Sequence, residues 1–98
     1  MLETVINAIR ERSMVYLDYP PGMRLIEPHA VGYGGRGQLL MRAFQIDGAS
    51  SSGDRRGWKL FELDRAATLG RAGMVFDGPE AGYRRGDRAM TRGVIVEL

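Results

Sequence analysis

Cysteine is absent, which excludes disulfides, thiolate metal centres and a cysteine nucleophile. Histidine and tryptophan occur once each, at His29 and Trp58, so no histidine cluster is available to hold a metal. No apolar run approaches the roughly 20 residues of a membrane-spanning helix. The N-terminus also lacks the basic, apolar and cleavage-site order of a secretory signal, so a cytoplasmic protein with no membrane partner is expected. Lysine is nearly missing too. Of 14 basic residues only Lys59 is a lysine, and the rest are arginines, whose planar fork fits phosphate or carboxylate in a bidentate manner. A GC-rich genome produces the same bias, and a net charge of +2 is too small for a strong polyanion binder.

At 98 residues the chain suffices for one domain with a modest core. Its organising stretch is 37–66, where two apolar segments, 38–46 and 58–63, flank a run of Asp, Gly, Ser and Arg. The first segment is apolar on both parities, with Leu39, Met41 and Ala43 on one and Leu40, Phe44 and Ile46 on the other. That predicts a strand covered on both sides, in the middle of the core. The connection 47–57 is longer than a tight hairpin needs, which marks it as the place to expect a site.

Upstream, Leu2, Val5, Ile6 and Ile9 recur at helical spacing over 2–12, with Glu3 early and Arg10 and Arg12 late. This predicts a short amphipathic helix laid on a sheet. Residues 13–19 alternate as a strand, which Pro20, Pro21 and Gly22 end. From Arg24 the run RLIEPHAVGY reads as an interrupted strand, because Pro28 cannot donate to a ladder and belongs at an edge or a bulge. Asp64 is placed to cap one helical turn through Ala66 and Ala67. Short strands are expected at 74–76 and 94–96. Residues 1–77 form the main unit and 78–98 an extension whose strand either completes its own sheet or pairs with a second copy. The fold class is mainly β with one N-terminal helix, an α+β arrangement built on a small bent sheet or barrel.

Several motifs fail on context. Gly32, Gly34 and Gly37 match a dinucleotide fingerprint, yet a strand follows where a helix is required. Residues 48–53 have phosphate-loop spacing, but Asp54 and Arg55 stand where Lys and Ser or Thr are needed, which excludes a Mg-nucleotide hydrolase. Arg85, Gly86 and Asp87 spell an adhesion tripeptide with no sign of export. A serine hydrolase would need one of Ser50, Ser51 and Ser52 activated by His29 and oriented by Asp47, and no nucleophile elbow supports it. The expectation is a protein that is not an enzyme and holds no cofactor.

The richer constellation is Arg42, Arg55, Arg56 and Arg65 around Ser51 and its neighbours. Hydroxyls, glycine amides and guanidinium forks together suit an anion. The same residues equally suit solvated loop charges and internal pairs with Glu62 or Asp64. Trp58, at the loop exit, is placed either to stack a base or to enter the core.

Over 5–69, the helix ending in ERS, the strand VYLDY, the segment RLIEP, the strand LLMRAF and the stretch FELDR resemble the WYL domain family. The most specific parts are Arg24 with Glu27 and Pro28, then Phe61, Leu63, Asp64 and Arg65. Where the name-giving Trp-Tyr-Leu triplet would fall stand Leu39, Leu40 and Met41, or Gln38, Leu39 and Leu40 in a register shifted by one, so the triplet itself is missing. The resemblance implies an Sm-like or SH3-like small β-barrel packed on the N-terminal helix. It also implies a non-enzymatic sensor of bacterial transcription regulation that binds a nucleotide or single-stranded nucleic acid. Carried over by position, Arg24, Arg42 and Arg65, with Tyr33 and His29, are its ligand-binding residues. Family members usually follow a DNA-reading domain, whereas the helix here begins at residue 2, which suggests a free-standing copy. The alternative is a self-assembling or adaptor protein, acting as a homodimer or beside a separate transcription regulator.

Overall fold

In the computed structural model, which describes residues 1–98, the chain forms one N-terminal helix and six strands. Helix α1 spans Leu2–Glu11 and buries Val5, Ala8 and Ile9. Glu3 in its first turn and Arg10 in its last complement the helix dipole. Arg12 ends it in the left-handed region at φ 53°, its N–H directed at the carbonyls of Ala8 and Ile9.

The strands are β1 (Ser13–Tyr19), β2 (Gly22–Tyr33), β3 (Leu39–Gly48), β4 (Gly57–Glu62), β5 (Thr68–Val75) and β6 (Val94–Glu97). They pair antiparallel in the order β4-β3-β2-β1-β5, with β6 added to β2. The strand expected around Arg24 is therefore long and central. The first half of β2 lies between β1 and β3, and its second half between β6 and β3. Pro28 falls between Ile26, the last residue paired with β1, and Ala30, the first paired with β6. Its missing N–H thus sits where β2 changes partners, beside a register slip against β3.

The sheet is open: of the bent sheet or small barrel expected, the structure forms the sheet, and no barrel closes. Strand β5 pairs with β1 alone, and the chain after it leaves the sheet to cross its outer face instead of closing on β4. Two local expectations also change. Asp64 caps nothing, since Leu63–Arg65 is a single 3-10 turn without a side-chain cap. The strand expected at 74–76 begins at Thr68 and ends before Phe76.

One face of the sheet meets α1. There Val5, Ala8 and Ile9 join Val15, Leu17, Ile26, Val31, Met41, Phe61 and Leu63 in the main core. The opposite face carries Glu27, His29, Phe44 and Trp58, and residues 76–93 lie across it as an irregular arm. Phe76 and Met90 anchor the two ends of the arm, Met90 packing with Ala30 and Leu40. The final strand then pairs with β2 of its own chain. Gly32 makes that approach possible, because a Cβ there would lie 2.5 Å from the carbonyl oxygen of Gly93. No helix is long and apolar enough to cross a membrane.

Candidate anion-binding groove

The arm is held by a histidine. His29 is fully buried, and its ring packs edge-on to Trp58, stacks on Phe76 and tilts against Tyr83, with centroids 4.7, 5.5 and 5.0 Å away. Glu80 donates its backbone N–H to Nε2 over 3.1 Å, so that nitrogen is the acceptor and the ring proton sits on Nδ1, which donates to the carbonyl of Glu27 over 2.8 Å. Burial pushes the His29 pKa down, and the ring is neutral. The indole N–H of Trp58 donates to the carbonyl of Ala81 over 3.0 Å, fixing the arm at a second point.

Beyond these anchors the arm turns through Gly82 and Gly86, both at positive φ, and with β3 and β4 encloses a groove of about 550 Å³. That volume lies in the range of small-molecule sites. Arg42, Arg84, Arg85 and Arg88 line it with Trp58 and Tyr83, and Asp87 is the single carboxylate among the lining residues. Arg42 grips Asp87 through two bonds, Nε to Oδ2 at 2.6 Å and a terminal nitrogen to Oδ1 at 3.1 Å. Asp87 also accepts the N–H of Ala89. Hydrogen bonding from Arg42 holds its carboxyl below the usual range. This pair ties the tip of the arm to β3. Arg85 reaches Glu97 at 3.4 Å, whereas Arg84 and Arg88 have no carboxylate within 4.0 Å. Tyr83 lies nearly parallel to Trp58, with centroids 5.9 Å apart, and their packed rings form the apolar wall.

Of the residues expected from the sequence to bind a ligand, Arg42 and Trp58 line this groove and the others do not. Arg24 is buried, with its guanidinium donating to the carbonyls of Tyr19 and Pro20 and to Oε1 of Gln45 while lying 5.3 Å from the rings of Tyr19 and Phe61. It holds the β1–β2 turn from inside, and burial lowers its pKa. His29 has no open surface. Arg55 pairs with Asp47 over 3.1 Å, Arg56 lies over Phe44, and Arg65 lies over Tyr19. Ser51 is exposed in the 47–57 loop, and Tyr33 is part-exposed at the end of β2.

The 47–57 loop is thus not the centre of an arginine cluster, and the reason is internal satisfaction. Gln45 donates to the carbonyls of Ala49 and Arg55, and the Lys59 ammonium reaches Ser50, Ser52 and the carbonyl of Asp54. The sequence reading passed over Tyr83, Arg84 and Arg88, and took Arg85 only as part of the Arg85, Gly86 and Asp87 tripeptide. The signal was present as three arginines within five residues after a tyrosine, but it lay in a Gly-rich stretch without periodicity.

The chain matches no family model, no curated protein and no solved structure.

Proposed function

We propose that this chain is a non-enzymatic ligand-sensing module, similar to the WYL domain, that binds a phosphate-bearing ligand in the groove between β3, β4 and the arm. The ligand is a nucleotide or a short run of single-stranded nucleic acid. One observation carries the reading: Arg84 and Arg88, without acidic partners, share a concave wall with Arg42 and Arg85. Guanidinium forks directed at phosphate oxygens give charge-assisted, bidentate bonds, and a low wall of Trp58 and Tyr83 suits a sugar or base edge. A helix laid over a bulged antiparallel sheet supports an Sm-like or SH3-like ancestry for the scaffold.

Titration of labelled single-stranded DNA and RNA and of free nucleotides, at several salt concentrations, tests this. Contact with three or four phosphates gives a log-log salt slope of roughly −2 to −3 for a single strand. Arg84→Ala with Arg88→Ala weakens binding by about tenfold or more and flattens that slope. Binding of none of these ligands at low salt, or binding indifferent to both substitutions, rejects the reading.

A further inference from the structure

The arm borders a second cleft, of opposite charge, on the far side of His29. Glu27, Asp77 and Glu80 face it, with Met14, Val75 and Phe76 as apolar walls, and its volume is about 530 Å³. Glu27 is 3 % exposed, and its Oε1 is buried with no hydrogen-bond donor. A buried carboxylate oxygen without a partner costs folding free energy, so its position on a cleft wall beside two further carboxyls calls for a donor from outside.

We propose that this cleft binds an alkylammonium ion, its NH3+ group held by the neighbouring Glu27 and Glu80 carboxyls, with Asp77 adding negative charge at the cleft wall, and its methylene chain laid against Met14 and Val75. An ammonium has three N–H donors and no acceptor, which matches a cleft whose charged lining is carboxyls alone. Apolar walls favour a carbon-bearing cation over a hydrated metal ion, and no three Asp, Glu or His side chains converge closely enough to ligate a metal. The neighbours of Glu27 agree. Burial first, then a side-chain hydrogen bond and charge repulsion from Glu80, and last Asp77, raise its pKa to about 7, and Arg56 only partly offsets them. The proton that Glu27 shares with Glu80 is the one an arriving ammonium replaces. The cleft therefore carries a carboxyl that gives up its proton when a cation arrives. This site is separate from the arginine groove and needs no phosphate ligand.

The test is a titration of the full chain with 1,4-diaminobutane, followed by amide chemical shifts, with sodium chloride and magnesium chloride as parallel titrants. At about pH 8 the diamine produces saturable shifts at Glu27, Phe76 and Glu80. At about pH 5.5, where Glu27 is protonated, apparent affinity falls by about tenfold. Glu27→Gln abolishes the saturable shifts. Should that variant not fold, Asp77→Asn combined with Glu80→Gln, on the part-exposed arm, lowers affinity by about tenfold instead. Shifts that do not saturate, that sodium chloride reproduces, that magnesium produces at lower concentration than the diamine, or that persist in the folded variants overturn the proposal.

Discussion

The backbone N–H of Glu80 ends on Nε2 of His29, and this bond joins an irregular arm to the centre of a sheet. Since the other ring nitrogen serves Glu27, both heteroatoms of a fully buried imidazole are committed. Replacing the ring by His29→Phe keeps most of the packing against Trp58, Phe76 and Tyr83 but strands one N–H and one carbonyl. A loss of about 1–3 kcal/mol is expected in urea unfolding. Hydrogen exchange should rise at Glu80 and its neighbours before it rises in α1.

His29 and Glu27 make opposite demands on pH. The pKa of His29 is lowered in the folded state, so its contribution is intact above its ordinary value of about 6.5 and is lost as pH falls below it. The pKa of Glu27 is raised to about 7 from 4.5. The folded state then holds the extra proton between those values, and stability falls as pH rises from about 4.5 to about 7, by an amount on the order of a few kcal/mol. Glu27→Gln should therefore be more stable than the parent near pH 8 and should become less stable as pH falls through 6.5. Chemical denaturation across pH 4 to 8 reads both slopes. A parent and variant with parallel profiles would contradict the assignment.

Arg24 and Gln45 support the 47–57 loop from beneath. Arg24 fixes Oε1 of Gln45, which leaves the amide nitrogen to hold the carbonyls of Ala49 and Arg55 at 2.9 and 3.0 Å. Gln45→Leu should speed tryptic cleavage after Arg55 and Arg56 severalfold. Arg24→Lys should destabilise by about 2 kcal/mol or more, because an ammonium cannot reproduce three divergent donors to fixed acceptors.

Gly32 is the close-approach point of β6. In Gly32→Ala the new methyl would meet the Gly93 carbonyl oxygen at 2.5 Å and Met90 Sδ at 2.9 Å, so the backbone must part. Loss of about 2 kcal/mol is expected, from overpacking. Amides of β6 and of Met90 should lose protection while those of β1 and β3 keep theirs.

Much of the fold was legible because periodicity and turn residues agreed. Helix α1 and strand β1 follow directly from the switch in spacing between Glu11 and Ser13, and Pro20, Pro21 and Gly22 mark the turn to β2. The strand β2 misled because Pro28 signals interruption locally, while the partner exchange that tolerates it is set by residues distant in sequence. The arm was illegible for a related reason. Its fixed points, Glu80 on His29, Ala81 on Trp58 and Asp87 on Arg42, are side-chain contacts spanning 51, 23 and 45 residues, and none leaves a local repeat. The candidate site moved accordingly. Arginine chemistry could be read from composition, but which guanidiniums converge depends on Arg42 finding Asp87 and Arg55 finding Asp47.

The crossing of residues 76–93 over the sheet has an evolutionary corollary. Helix and strands can be conserved as an inert chassis while Asp77, Arg84 and Arg88 are exchanged at little cost to folding, since they project from a ribbon fastened elsewhere. A library randomised at those positions alone should yield well-folded members with altered ionic preference, so this scaffold can diversify its chemistry through a handful of codons near its C-terminus.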